Sequence, residues 1–216
     1  MNRILVSRDS IIPSSEKIKI DGNNIILLDD DTYLLEYENI NDINLCIIVS
    51  NNVKATLFES GFLGDIKVNN KYIVDSGELK VNKFYNNDNV CEVINIDLYN
   101  EGKIDYRFSN ICKKNESYEI NINHMGVATV SNINNKSIAM QGSKLDFIIN
   151  SKVEKEYEKS ILDQNTRIVT LGESDSKISP NMFIDCDDVE AAVQFLNYGY
   201  TEEGARMFNF GIEGEG

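Results

Sequence analysis

The chain has 216 residues, 42% of them hydrophobic, enough to bury one elongated core or two small ones. Its formal net charge of −14 argues against nucleic acid, which needs a basic footprint to displace counterions, and against an anionic membrane surface. Any partner of so acidic a protein should offer basic or apolar surface.

The first residues, Met1 to Asp9, lack the apolar stretch of a signal peptide, and no apolar run approaches the ~18 residues of a membrane span. The expectation is a cytoplasmic protein whose four cysteines, Cys46, Cys91, Cys112 and Cys186, are reduced. None forms a CxxC pair, so no local zinc site is expected. Cys46 and Cys91 lie among apolar residues of predicted strands and are expected to be buried core thiols.

From Lys17 to about Ile184 the pattern is almost all strand. Runs rich in Ile, Val, Leu and Tyr include Lys17 to Ile20, Ile25 to Leu28, Leu45 to Val49, Ala55 to Phe58, Val93 to Leu98, Ile104 to Phe108 and Ser117 to Ile122. Gly126 to Val130, Ser137 to Met140, Leu145 to Ile149 and Arg167 to Leu171 follow. Turn residues such as Asp21-Gly22-Asn23-Asn24, Asn51-Asn52, Asn100-Glu101-Gly102 and Asn134-Asn135 bound many of them. The charged stretch Lys152 to Lys159 reads as a solvated loop or strand edge.

Many short strands at roughly 8–12-residue spacing fit a sandwich, a barrel or a β-solenoid. Three details favour the solenoid, although no clean internal repeat is visible. Asparagine is abundant at the turns, where it tolerates left-handed backbone and stacks in ladders along successive coils. There are only two prolines, and Asp21-Gly22 is the lone Asp-Gly hairpin signal.

Helical chemistry begins after Cys186. Asp187 is a candidate N-cap, with Asp188 and Glu190 in the first turn and Glu190 in capping-box position. Val189, Ala192, Val193 and Leu196 form an apolar stripe at helical spacing, and Gly199 ends the helix. A second helix starts at Thr201 and is closed by Gly211, with Ala205, Phe208 and Ile212 marking one face. The expected organisation is a β-helix core over residues 1–185 and a helical segment over residues 186–216. From the pattern alone, these helices either cap the open end of a solenoid or form a docking surface.

Two residues bear on metal chemistry. His124, the only histidine, has no second soft ligand nearby in sequence, so a structural or surface role is expected. Cys186 sits in the acidic turn Asp185-Cys186-Asp187-Asp188 before a helix N-terminus. There the dipole lowers a thiol pKa while the carboxylates raise it, and it is the best-placed thiol for iron.

The stretch Gln164 to Glu173, then Pro180 to Ala192, resembles the shared core of the SufB/SufD family of iron–sulfur cluster assembly proteins. Phe195-Leu196-Asn197-Tyr198-Gly199-Tyr200 and Glu202 to Phe210 are similar to the family's closing helices. His124-Met125-Gly126 and Asn135 to Ala139 with Gly142 look like the preceding coils. The resemblance covers about 124–211 and is most specific after Pro180. Asn165 and Thr166 stand where SufB-type members carry a cysteine, so the chain looks more like SufD. Val193 stands where SufD-type members tend to carry a histidine.

The resemblance implies a right-handed parallel β-helix with two short C-terminal helices and no catalysis by the chain itself. It implies pairing with itself or a SufB-like protein, and docking of a SufC-like ATPase. The docking candidates are Asp187, Asp188, Val189, Phe195, Leu196, Tyr198, Tyr200, Met207 and Phe208. No cofactor would be held firmly, and iron or an iron–sulfur cluster would pass transiently. Two rivals are a β-helix enzyme acting on acidic polysaccharide and a degenerate paralogue that only dimerises. Against the enzyme, no Lys/Arg cluster is evident in the predicted strands.

Overall fold

The computed structural model describes residues 1–38, 40, 42–61, 65–154 and 159–184. The chain divides into two units, Met1–Phe183 and Ile184–Gly216. The expected C-terminal helices, Cys186 and every docking candidate from Asp187 to Phe208 lie outside the described residues.

The described strands alternate between two eight-stranded sheets. The first sheet holds β1 (Asn2–Ser7), β2 (Ile11–Pro13), β5 (Thr32–Glu38), β7 (Lys54–Gly61), β9 (Glu78–Tyr85), β11 (Lys103–Cys112), β13 (Val130–Ala139) and β15 (Ile161–Thr170). The second holds β3 (Ile18–Asp21), β4 (Asn24–Leu27), β6 (Asp42–Val49), β8 (Asp65–Asp75), β10 (Asn89–Tyr99), β12 (Asn115–His124), β14 (Lys144–Val153) and β16 (Asp175–Ile184). From β4 onward each strand neighbours the strand two places later, one sheet per half-coil. The fold is a right-handed parallel β-solenoid of about five turns. Among the described residues no helix is long and apolar enough to cross a membrane.

Period-two alternation builds this body. In β12, Tyr118, Ile120 and Ile122 point inward and are buried, while Ser117, Glu119 and Asn121 face out. Parallel sheets covered on both faces need continuous apolar runs. Here each sheet keeps one solvated face, so the alternation stays clean. Between the sheets the aromatics of successive coils touch: Tyr85 and Phe108 at 5.7 Å, Phe108 and Tyr118 at 4.7 Å, Tyr118 and Phe147 stacked at 4.9 Å. Each large apolar side chain so buried contributes about 1.5–3 kcal/mol.

Asparagine ladders run along the outside. Asn121 donates to Asn95 at 3.3 Å, Asn150 to Asn121 at 2.8 Å and Asn181 to Asn150 at 2.9 Å. A second ladder at the strand starts joins Asn115 to Asn89 and Asn89 to Asp65. The longer ladder therefore lies on strand faces and not at the turns, because a parallel in-register stack aligns identical outward positions. The turns use asparagine as expected at Asn52 and Asn100, both at positive φ.

Coil length drifts. Ladder partners are separated by 24 residues at Asp65–Asn89, 26 at Asn95–Asn121, 29 at Asn121–Asn150 and 31 at Asn150–Asn181. That drift hides the repeat from a fixed-period reading. Strands β1 and β2 precede the stretch read as strand, and β5, β8, β9 and β16 lie within it but outside the named runs. The stretch Gly126 to Thr129, read as strand, is the turn before β13.

Turns stack on turns. The Glu101 N–H donates to the Val127 carbonyl and the Asn52 N–H to the Ser76 carbonyl. At Gly102 a Cβ would sit 2.3 Å from the Val74 carbonyl oxygen and 2.7 Å from that of Tyr99, both rigid backbone. Gly102→Ala is expected to destabilise by about 1–3 kcal/mol through this overpacking. Urea unfolding followed by circular dichroism checks it, and an unchanged midpoint would show that the stack yields freely.

The N-terminal end closes on itself. β2 pairs antiparallel with β1 and β3 antiparallel with β4, so hairpins cover the first coil's edges. At the other end, β16 is terminal in its sheet among the described residues. It tolerates Pro180, which has no N–H to give a further neighbour.

Candidate functional site

A cluster of perturbed acid–base groups lies inside the body. β7 delivers Glu59, β9 delivers Lys83 and β10 delivers Glu92, all inward and buried. Lys83 Nζ lies 2.8 Å from Glu59 Oε1, contacts Glu92 Oε1, and sits 4.7 Å over the Tyr85 ring. Glu59 Oε1 also accepts from Tyr37 Oη at 2.7 Å, Asn70 Nδ2 at 3.2 Å and Tyr85 Oη at 3.2 Å. Its other oxygen accepts from Tyr72 Oη at 2.8 Å.

Two carboxylates thus share one ammonium in a water-excluded space. Burial would raise the Glu59 pKa, but the Lys83 charge and the donated hydrogen bonds outweigh it and hold it below its usual value. Glu92 has fewer donors. Burial, reinforced by repulsion from Glu59 and only partly offset by Lys83, pushes it up to about 7. Burial disfavours the Lys83 charge, yet the two carboxylates raise its pKa, so it stays an ammonium. Glu92 Oε2, Tyr106 Oη and Asn70 Oδ1 are buried without hydrogen-bond partners among the described residues. The arrangement holds one exchangeable proton on Glu92 near neutral pH. It presents no nucleophile to solvent.

The sequence reading missed this cluster. Strand parity was the available signal: Glu59 shares its phase with Ala55 and Leu57, Lys83 with Leu79 and Val81, and Glu92 with Val90 and Ile94.

His124 ends β12 on the inward phase and is buried. Its Nδ1 lies 2.7 Å from Thr129 Oγ1 and its Nε2 3.0 Å from Ser131 Oγ. With both nitrogens occupied by hydroxyls the ring is structural, and burial lowers its pKa to about 4. A lowered histidine pKa gives stability that is present above about pH 6.5 and lost as pH falls towards 4. Relative to His124→Gln, the wild-type chain should therefore lose about 2–3 kcal/mol across that window. Chemical unfolding of both proteins at pH 7 and pH 4.5 measures it, and a pH-independent difference would contradict it.

The cysteine expectation needs correction. Cys91 is exposed and Cys46 half-buried, both on the outer face of the second sheet. Their inward neighbours Leu45, Ile47, Val90 and Glu92 fix the parity that turns the thiols out. The buried thiol is Cys112, at the end of β11, whose Sγ lies 3.3 Å from the Lys144 carbonyl oxygen. Burial, with the nearby Glu116 carboxylate, pushes that thiol up to about 11, so it is inert at neutral pH.

Among the described residues no group of three or more His, Cys, Asp or Glu side chains is arranged to hold a metal ion. Asn165 and Thr166 lie on β15 and bring no thiol to it.

Comparison of the chain with family models, with curated proteins and with solved structures found no match.

Proposed function

We propose that this chain is a non-catalytic scaffold subunit of a SUF-type iron–sulfur cluster assembly system in the cytoplasm. It docks a SufC-like ATPase through residues 187–210 and pairs with itself or with a SufB-like partner. The observation that carries this reading is the parallel β-solenoid formed by the strands up to β16. It is the architecture implied by the C-terminal motifs.

Two features of the body support a mechanical role. The Glu59–Lys83–Glu92 cluster is sealed between the sheets, where no substrate reaches it. The coils are also joined by continuous backbone ladders and asparagine ladders along the solenoid axis. Such a body passes an applied strain along its length instead of dissipating it in loops. ATP-driven movement of the docked ATPase would supply that strain. Iron or a cluster is cargo in this scheme, with Cys186 as the thiol that contacts it.

The docking claim is tested by Phe195→Asp combined with Met207→Asp. The double variant is expected to lose co-elution with the ATPase while keeping the β-sheet circular dichroism of the parent. Retained co-elution would move the docking surface elsewhere.

A further inference from the structure

The outer face of the first sheet carries a trough of about 730 Å3 that crosses β5, β7, β9, β11 and β13. Its two halves differ. One is apolar: Leu34 and Phe58 face each other across β5 and β7, and Phe84 lies beside them on β9. Phe58 is 42% exposed and Phe84 39%, a large aromatic area on a face whose other outward residues are mostly polar. The other half is cationic, with Arg107 on β11 and Lys136 on β13. Arg167 on β15 is in register with Lys136 and extends the same row. Asn82 on β9 lies between the halves, and Ser60, Ser109 and Asn134 line the trough on β7, β11 and β13.

The cations are available to a ligand. Lys136 makes no ion pair or hydrogen bond among the described residues. Arg107 makes a two-point pair with Asp105 at 2.7 and 3.1 Å, and its side chain remains 61% exposed. Positive charge gathered beside exposed aromatics is notable in a chain of net charge −14.

We propose that this trough binds an extended acidic peptide segment of a partner protein, its apolar side chains over Phe58 and its carboxylates at Lys136 and Arg107. Four interstrand steps separate β5 from β13, about 19 Å, which about six extended residues span. The chemistry of the two halves favours a peptide over other anions. An acyl chain needs an unbroken apolar channel, and Ser60, Asn82 and Ser109 interrupt this one. A polyuronate needs cations along its whole length, and only half the trough has them. The Asn82 and Asn134 amides suit the N–H and C=O groups that an extended backbone presents. This inference does not rest on ATPase docking, which involves other residues.

The test uses the full chain and a fluorescein-labelled six-residue peptide with leucine and phenylalanine at one end and three glutamates at the other, followed by fluorescence anisotropy at low salt. Saturable binding is expected, at least about tenfold weaker when lysines replace the glutamates. Lys136→Glu should weaken it about tenfold and Phe58→Ser about fivefold, with the parent circular dichroism retained. Absence of saturable binding, indifference to both substitutions, or tighter binding of polygalacturonate or oleate than of the peptide would each overturn the proposal.

Discussion

Lys83→Met is expected to destabilise the solenoid by about 3–5 kcal/mol, more than any other single change considered for the body. The reason is what remains and not only what is removed. Lys83 bridges Glu59 and Glu92, and all three side chains are fully buried. Methionine fills most of the lysine volume, so the packing term stays small. Two carboxyl groups are then left facing each other with no cation and no water. At least one must take up a proton, and Glu59 loses the charge partner that offsets its burial. The urea midpoint should fall by roughly 1–3 M. Adding Glu92→Leu to Lys83→Met should recover part of the loss, because it removes one of the stranded carboxyls. A loss below about 1 kcal/mol would mean that water reaches the cluster.

Glu92→Gln is expected to remove the loss of stability that this cluster imposes between pH 4.5 and 7. Glu92 stands at about 7 in the fold against 4.5 for an ordinary glutamate. A carboxyl whose folded pKa is raised stabilises the protein most when both states are protonated, below about pH 4.5. That contribution is lost as pH rises and is gone once pH passes 7, because the unfolded chain releases the proton more easily. The loss amounts to roughly 3 kcal/mol. His124 titrates in an overlapping window with the opposite sign, so the wild-type profile alone conceals the effect. It is shared by both proteins, and the difference between Glu92→Gln and wild type isolates Glu92. Glutamine keeps a carbonyl for Lys83 and never ionises. The variant should therefore gain on the wild type steadily from pH 4.5 to 7 and hold that gain above. A difference that stays flat with pH would show that Glu92 is ionised throughout.

The solenoid was legible in the residues because each sheet leaves one face wet. Runs such as Val93 to Leu98 alternate cleanly, and asparagine recurs where coils stack. Register and phase were harder. Ile43 to Val49 is apolar on both faces at Cys46 and Ile48, so composition could not say which thiol faced the core. Only the parity shared with Ile43, Leu45, Ile47 and Val49 decides it. Lys83 and Glu92 looked like solvent-facing residues by type, and the ladder turns them inward by position. The lengthening coils erased the fixed period that would have exposed the stack directly. The trough on the first sheet was invisible for another reason: Phe58, Arg107 and Lys136 are far apart in sequence and meet only through the parallel register.

The most direct measurement is equilibrium binding between the purified full chain and the SufC-like ATPase of the same organism, with and without ATP. A stable complex of fixed stoichiometry, lost on combining Phe195→Asp with Met207→Asp, is the result expected of an assembly scaffold. No complex in either nucleotide state, with an ATPase that still hydrolyses ATP, would contradict that role.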